Sequence, residues 1–478
     1  MGSTPRSTRG VIPILLVAAF VVILNETTMN VALASIMADL AISERTAQWL
    51  TTAFMLTMAV VIPITGWLLD RLPTRRVFQM AMALFSLGTL IAAVSPSFAV
   101  LLLGRVVQAS GTAIMMPLLM TTIMQLVPPA KRGQTMGNIS MVISVAPAVG
   151  PTLSGFILEV GSWRLIFWVM LPMALLMLAL GVWRLTDVGD EKRTPLDLIS
   201  VVLTVLAFGP LVHGLSLVGA EDVEFWVPML AIGVGVGGLA AFMARQFILQ
   251  ARDAALLDLR TFAYPTFTVA VLMMSIAMMA LFGTVIMLPL LLQRAFGMEA
   301  IQVGLMLLPG GIAMGVLSPF IGRLYDRVGP KVLVVPASFV VLGVFLYLST
   351  INPAMPWWGI MAAHTVMSVS FAAIFTPLFT VGLGSLPKGL YSHGSAVIGT
   401  VQQVAGAAGT ALFVTIFAMQ TAAARPAAPT EAAAMLQGAH WAFLGAGAVW
   451  TAALIAGFFL RKPEEEETAD VAVEVTAG

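Results

Sequence analysis

Two charged residues stand where a charge is costly. Glu26 interrupts the apolar run that begins near residue 11, and Arg105 interrupts the run from 99 to 126. At hydrocarbon depth each costs about 2.5–3.5 kcal/mol on insertion scales, so such groups face a cavity and seek a partner. A carboxyl in that setting takes up and releases a proton, held by desolvation and expelled by a nearby cation. Glu26 and Arg105 are therefore the candidate proton-coupling residues, Glu26 to carry a proton and Arg105 to supply the field should the two face one cavity. The competing reading is a static pair that pins two helices. No other carboxylate lies well inside an apolar run. His213 and His364 are embedded too; a lone helix histidine usually plays a structural part, and His213 reads as a structural hydrogen-bonder.

A second constellation is repeated. Gly66-x3-Asp70-Arg71-x3-Arg75 is matched 256 residues later by Gly322-x3-Asp326-Arg327-x3-Lys331. Each copy closes the second apolar run of a block of six. A carboxylate at the C-terminal end of a helix meets the negative end of the helix dipole, so it should find an Arg or the N-terminus of another helix. Such a contact between two bundles would latch one face shut. One copy alone would read as an ordinary loop charge; two copies in register favour a latch.

The elements that hold these residues are apolar. The chain has 478 residues, 59% hydrophobic and 10% charged, with a mean hydropathy of +0.98. Water-soluble domains carry roughly 25% charged residues, so the solvent here is a bilayer. Runs of about 20 apolar residues, enough to span it, lie near 11–33, 48–70, 77–95, 99–126, 133–159, 164–184, 196–218, 225–247, 262–293, 301–325, 331–350, 357–384, 392–420 and 438–460. That makes fourteen. The ten-residue alternation of a membrane strand is absent, so all are expected to be helices. The run from 11 follows Arg6 and Arg9 like a signal peptide but continues through Asn25 and Glu26 without a convincing cleavage site, so it is read as a retained first span.

With the N-terminus cytoplasmic, 19 of the 24 Lys and Arg fall inside, 4 outside and 1, Arg105, within a span. The positive-inside rule therefore puts both termini in the cytoplasm. The net charge of +1 gives no sign of a nucleic-acid partner, and the absence of Cys excludes disulfides and thiolate metal sites. There is no G-x4-GK(S/T) loop for a nucleotide, no Ser/His/Asp set and no metal cluster. The run Gly233-Val234-Gly235-Val236-Gly237-Gly238 lies inside an apolar span and reads as helix packing. Neither cofactor, metal nor enzymatic activity is expected. A bias to Arg over Lys, with abundant Ala and Gly, points to a bacterium with GC-rich DNA.

These residues resemble the major facilitator superfamily, whose leading signature between spans two and three is G-x3-D-R-x3-(R/K). Further matches resemble its drug:H+ antiporter branch with fourteen spans (EmrB/QacA-like). They are Leu101-x3-Arg105-x2-Gln108-x2-Gly111, the exporter-associated Ala146-Pro147-x2-Gly150-Pro151-x3-Gly155, and Leu24-Asn25-Glu26-Thr27-x2-Asn30-Val31-Ala32-Leu33. Pro289, Gln293, Leu308-Pro309-Gly310-Gly311, Gly394-Ser395-Ala396 and Gln402-Gln403-x2-Gly406 are similarly family-like. Two positions depart: Asn25 stands where most members have Asp, with the acid displaced to Glu26, and Met170 replaces the usual Asn of the sixth span. The Asn-Glu-Thr variant resembles the lincomycin-resistance subgroup.

The resemblance implies an all-α major facilitator fold. A six-helix bundle is expected over 1–186, a two-helix insertion with its cytoplasmic linkers over 187–259 and a second six-helix bundle over 260–461. An acidic tail over 462–478, containing Glu464 to Glu467, is expected to be disordered. It also implies a monomer in a bacterial inner membrane that exchanges protons for small lipophilic substrates, cationic or lincosamide-like ones among them. Pro147 and Pro151 would bend the fifth span, while Gly150, Ser154 and Gly155 would let a neighbouring helix approach. The candidate cavity residues are Asn25, Asn30, Gln108, Met115, Met274, His364 and Phe371, the Met and Phe side chains offering a pliant apolar wall. Export of an endogenous lipid or metabolite is the alternative within transport. A non-transporting scaffold or sensor would leave the paired loops and Glu26 without a use.

Overall fold

The computed structural model describes residues 10–187, 195–218 and 223–461. All regular structure among them is helical, and fourteen helices are long and apolar enough to cross a membrane. They are α1 (Val11–Leu40), α2 (Glu44–Arg71), α3 (Thr74–Ala93), α4 (Phe98–Leu126), α5 (Arg132–Val160), α6 (Arg164–Arg184), α7 (Leu198–Leu217), α8 (Trp226–Gln250), α9 (Pro265–Arg294), α10 (Ala300–Val328), α11 (Pro330–Ser349), α12 (Trp357–Gly384), α13 (Tyr391–Ala424) and α14 (Glu431–Gly457). Each expected run has its helix. The acidic tail, Arg6 and Arg9 lie outside the described residues, and so does the side chain of Asn30.

In a bilayer the apolar surface gains nothing by leaving lipid, so helices associate through close contact and hydrogen bonds. The glycines show where. α8 packs on α7 at Gly235 and Gly238, where an added Cβ would lie 2.6 Å from the Leu211 nitrogen and 2.5 Å from the Leu206 oxygen. The glycine run of α8 is thus a helix-packing surface. Polar caps finish the ends: Ser43 caps α2, Asp197 caps α7, Thr430 caps α14, and Glu299 with Gln302 forms a capping box on α10.

The packing repeats. In the first six helices α3 lies on α4 and α6, and α1 on α5 and α6; in the last six α11 lies on α12 and α14, and α9 on α13 and α14. Between these sets two seams correspond: α2 meets α13 as α10 meets α5, and α4 meets α13 as α12 meets α5. α7 lies across the first seam, touching both α2 and α13. Its His213 stacks on Trp49 of α2 at 5.3 Å, and His213 Nδ1 has no hydrogen-bond partner among the described residues. The expected hydrogen-bonder is a stacking residue instead, because the ring meets an indole face on a largely apolar helix. On the opposite face, Arg164 and Trp163 both donate to Asp39, joining the ends of α1 and α6. First the Arg164 and then the Trp163 hydrogen bond holds the Asp39 carboxyl below its ordinary range.

Candidate functional site

The repeated motif meets a helix N-terminus in both copies. Asp326, at the end of α10, accepts from the backbone N–H of Gly133 at 2.8 Å and of Gln134 at 3.0 Å, in the first turn of α5. Asp70, at the end of α2, accepts from Ser392 Oγ and lies 3.5 Å from His393 Nε2, in the first turn of α13. Each carboxylate escapes the negative end of its own helix for the positive end of another. The motif glycine, one turn earlier, makes this possible. A Cβ at Gly322 would overlap the Gly133 carbonyl oxygen, and one at Gly66 would lie 2.8 Å from His393 Nδ1. Among the described residues, no ion pair joins the basic residues of the motif to the facing bundle. Arg71 is half-buried, Arg327 is exposed, and Arg75 donates to the Val182 carbonyl of α6.

His393 and Ser392 carry no motif, and sequence reasoning missed them. His393 Nδ1 accepts from the Asp258 N–H at 3.3 Å, so the ring proton sits on Nε2, toward Asp70. Asp258 belongs to the segment between α8 and α9. There Gln246 of α8 accepts the N–H groups of Leu256 and Leu257 and donates to Ser200 of α7. The hydrogen bonds that Arg260 donates to Asp258, and then to Asp253, push its guanidinium pKa further up. Asp70, His393, Asp253, Asp258, Arg260 and Trp67 line one cavity of about 270 Å³. The linker of the inserted pair is therefore built into the Asp70 contact. The only advance signal was polar residues opening an apolar run.

From this face the α5–α10 seam stays tight for about half its length. A Cβ at Gly137 would overlap the Ser318 oxygen, and one at Gly311 would lie 3.3 Å from the Ala148 Cβ. Seven residues further along each helix, Gly155 and Gly304 have nothing within 4 Å of where a Cβ would stand. The expected close approach at Gly155 is thus corrected: the outer half of α5 diverges from its neighbour. Gly150 does meet one, since its Cβ would overlap Thr27 Oγ1 of α1. Pro147 and Pro151 lie on the exposed side of α5, which runs on as one helix through both.

Near mid-span α1 presents Asn25, 1% exposed, beside the half-buried Glu26. Arg105 of α4, also 1% exposed, donates Nη1 to Asn25 Oδ1 at 3.4 Å and to Gln108 Oε1 at 2.5 Å. Its guanidinium lies 4.1 Å over the Phe54 ring of α2, and Gln108 donates onward to Thr89 of α3 at 2.8 Å. One base therefore ties four helices. Arg105 acts on Glu26 electrostatically through space, and no hydrogen bond joins them, so they do not form the static pair of the competing reading. Adjacent helical residues point about 100° apart, so the face that offers Asn25 to α4 turns Glu26 aside. Among the described residues, Arg105 Nε and Asn25 Nδ2 have no hydrogen-bond partner.

On the other side, α10 passes His364 of α12 at Gly310, where a Cβ would lie 2.6 Å from His364 Nδ1. His364 is buried, and its Nδ1 has no hydrogen-bond partner among the described residues. Of the candidate wall, Met115, Met274 and Phe371 are all fully buried, and Phe371 packs edge-on against Trp450 of α14 at 5.8 Å. These side chains fill helix contacts in this state and do not surface a cavity. No group of three or more metal-ligating side chains occurs among the described residues.

A family profile described as the Major Facilitator Superfamily matches residues 15–410. The chain is 38% identical to the lincomycin resistance protein LmrB of Bacillus subtilis, over 94% of this chain and 95% of that protein. It is 30% identical to the multidrug export protein EmrB of Haemophilus influenzae, over 83% of this chain and 78% of that one. In fold it is similar to the human organic anion transporter MFSD10 (TETRAN), with a TM-score of 0.66 at 17% identity, covering 95% of this chain and all of that one. With sequence likeness across nearly its whole length and the same helical architecture, this chain is a multi-pass membrane protein of the major facilitator superfamily.

Proposed function

We propose that the chain exports lipophilic drugs from a bacterial cell in exchange for protons. It would do so by alternating access between a bundle over 1–186 and a bundle over 260–461, with 187–259 inserted between them. The relatives named for lincomycin resistance and multidrug export support the substrate class. The positive-inside distribution supports a cytoplasmic Asp70 face with both termini on the same side. On that reading the structure is closed to the cytoplasm and splayed outward.

The observation that carries the proposal is Glu26. It is a half-buried carboxyl at mid-span with no hydrogen bond to any described residue, one position from a buried cation network. Facing outward, Glu26 takes a proton; facing inward, an arriving substrate displaces it. A charge crossing the membrane potential supplies about 2.3 kcal/mol per 100 mV, enough for more than a tenfold gradient of a neutral substrate. Glu26→Gln should still bind lipophilic substrate yet fail to concentrate it, and a cationic substrate should lose affinity as well. Substrate-induced proton movement in proteoliposomes tests this. Uphill export with normal proton flux in the Gln variant would move the coupling site elsewhere, with His364 next.

A further inference from the structure

Two hydroxyl pairs cross the seams behind the carboxylates. Thr121 of α4 and Ser395 of α13 bring their oxygens to 2.5 Å, and Thr376 of α12 donates to Ser140 of α5 at 2.9 Å. All four side chains are buried. Thr121 and Thr376 are 255 residues apart, and so are Ser140 and Ser395. In each pair a Thr from the fourth helix of one block meets a Ser from the fifth helix of the other. The bonds are therefore related by the same repeat that relates Asp70 to Asp326. Ser395 is three residues beyond Ser392, which holds Asp70, and Ser140 is six beyond Gln134, which holds Asp326. At 1.5 Å per residue the hydroxyl layer lies about 5–9 Å deeper than the carboxylates.

We propose that Thr121, Ser140, Thr376 and Ser395 form a second layer of the cytoplasmic gate, whose two bonds break each time that side opens. The proposal rests on the alternating-access reading. Most hydroxyls in these spans serve only their own helix: Thr122 donates to the Leu118 carbonyl and Thr380 to that of Thr376. Two that reach across, placed alike in both halves, are not the default. Hydroxyls also suit a contact that must be remade in every cycle. When the crossing bond breaks, each falls back on a carbonyl one turn earlier, and no polar group is stranded in a dry span. Ser395 already holds such a bond, to Tyr391 at 2.7 Å.

The chain contains no Cys, so spin labels at Arg76→Cys and Lys388→Cys would read the opening of this face in nanodiscs. Both positions are exposed. Interhelical hydrogen bonds within membranes shift an equilibrium by about threefold on average. Thr121→Val and Thr376→Val should each raise the long-distance population about threefold, and the double variant about tenfold. Thr121→Ser should restore the parent value, while Thr122→Val and Thr380→Val should leave it unchanged. Ser395→Ala and Ser140→Ala break the same bonds from the other side, should a Val variant fail to reach the membrane. An unshifted double variant, in a parent that does respond to pH or drug, would overturn the hydroxyl layer alone. A parent holding one distance under every condition would overturn alternating access, and the hydroxyl layer with it.

Discussion

Asp326→Asn tests the latch where its geometry is most complete. The carboxylate takes two N–H groups, at 2.8 and 3.0 Å, from the first turn of α5. A hydrogen bond to a charged group contributes about 1.5–3 kcal/mol, and an anion at a helix N-terminus a further 0.3–1. Asn offers one acceptor oxygen: it keeps one neutral bond and turns its NH2 against the other N–H. The net loss is about 2 kcal/mol, roughly a thirtyfold shift from closed toward open at 1.4 kcal/mol per decade. Thr380, buried on α12 and bonded only to its own helix, is a suitable reporter position once changed to Cys. In inside-out vesicles a membrane-impermeant maleimide reaches it only through an open cytoplasmic side. Asp326→Asn should speed its alkylation about thirtyfold, with unchanged labelling of Lys388→Cys as the control. Alkylation at the parent rate, with normal membrane insertion, would reduce Asp326 to an ordinary loop charge.

Gly322→Ala should abolish drug resistance in a hypersensitive host while the protein still reaches the membrane, because its methyl meets the Gly133 carbonyl; Gly155→Ala, with nothing in reach, should be silent. Arg105→Lys keeps the charge but loses the Nη1 that reaches both Asn25 and Gln108 and the planar stack on Phe54, and should lower stability by about 1–3 kcal/mol in a thermal melt. Gln246→Ala strands the amides of Leu256 and Leu257, so hydrogen exchange over 251–258 should quicken. Asp197 is held well below the usual carboxylate range, first by the hydrogen bond from Arg245. Its stabilisation is present above the unfolded pKa and lost only as pH falls through the lower folded one. Exchange at the α7 N-terminus should therefore stay protected down to pH 4, and Asp197→Asn should remove that protection at neutral pH.

What the sequence made legible were features that repeat or that hydropathy averages. Fourteen apolar runs became fourteen helices because a span tolerates little but apolar residues over some twenty positions. Asp70 and Asp326 were legible as a pair because two copies stood in register, and the helix dipole argument named the kind of partner each would find. The partners themselves were not legible. Gly133 and Gln134 receive Asp326 through backbone N–H groups, which leave no side-chain signature, and they lie 193 and 192 residues away. Ser392 and His393 lie more than 300 residues from Asp70, and only the fold brings the linker at Asp258 beside them.

Glu26 shows a different limit. Composition marks it as the buried acid and Arg105 as the buried base, and a pairing follows from cost alone. Helical geometry decides otherwise: at 100° per residue, the position before Glu26 is the one that faces Arg105, and there Asn25 supplies a neutral oxygen. An acid at position 25 would be neutralised by the guanidinium it meets. An acid at 26 feels the same cation without a bond to it, which on the proposed function leaves its charge open to a proton or a cationic substrate. On the proposed function, displacing the carboxyl by one residue separates two tasks: Arg105 with Asn25 holds the first bundle together, and Glu26 is left to change charge. Asn25→Asp tests that separation: a hydrogen-bonded salt bridge to Arg105 should raise thermal stability, while Glu26 still determines proton flux. Proton flux that survived Glu26→Gln in the Asn25→Asp background would show that position 25 can take over the coupling, and that the two tasks are not separate.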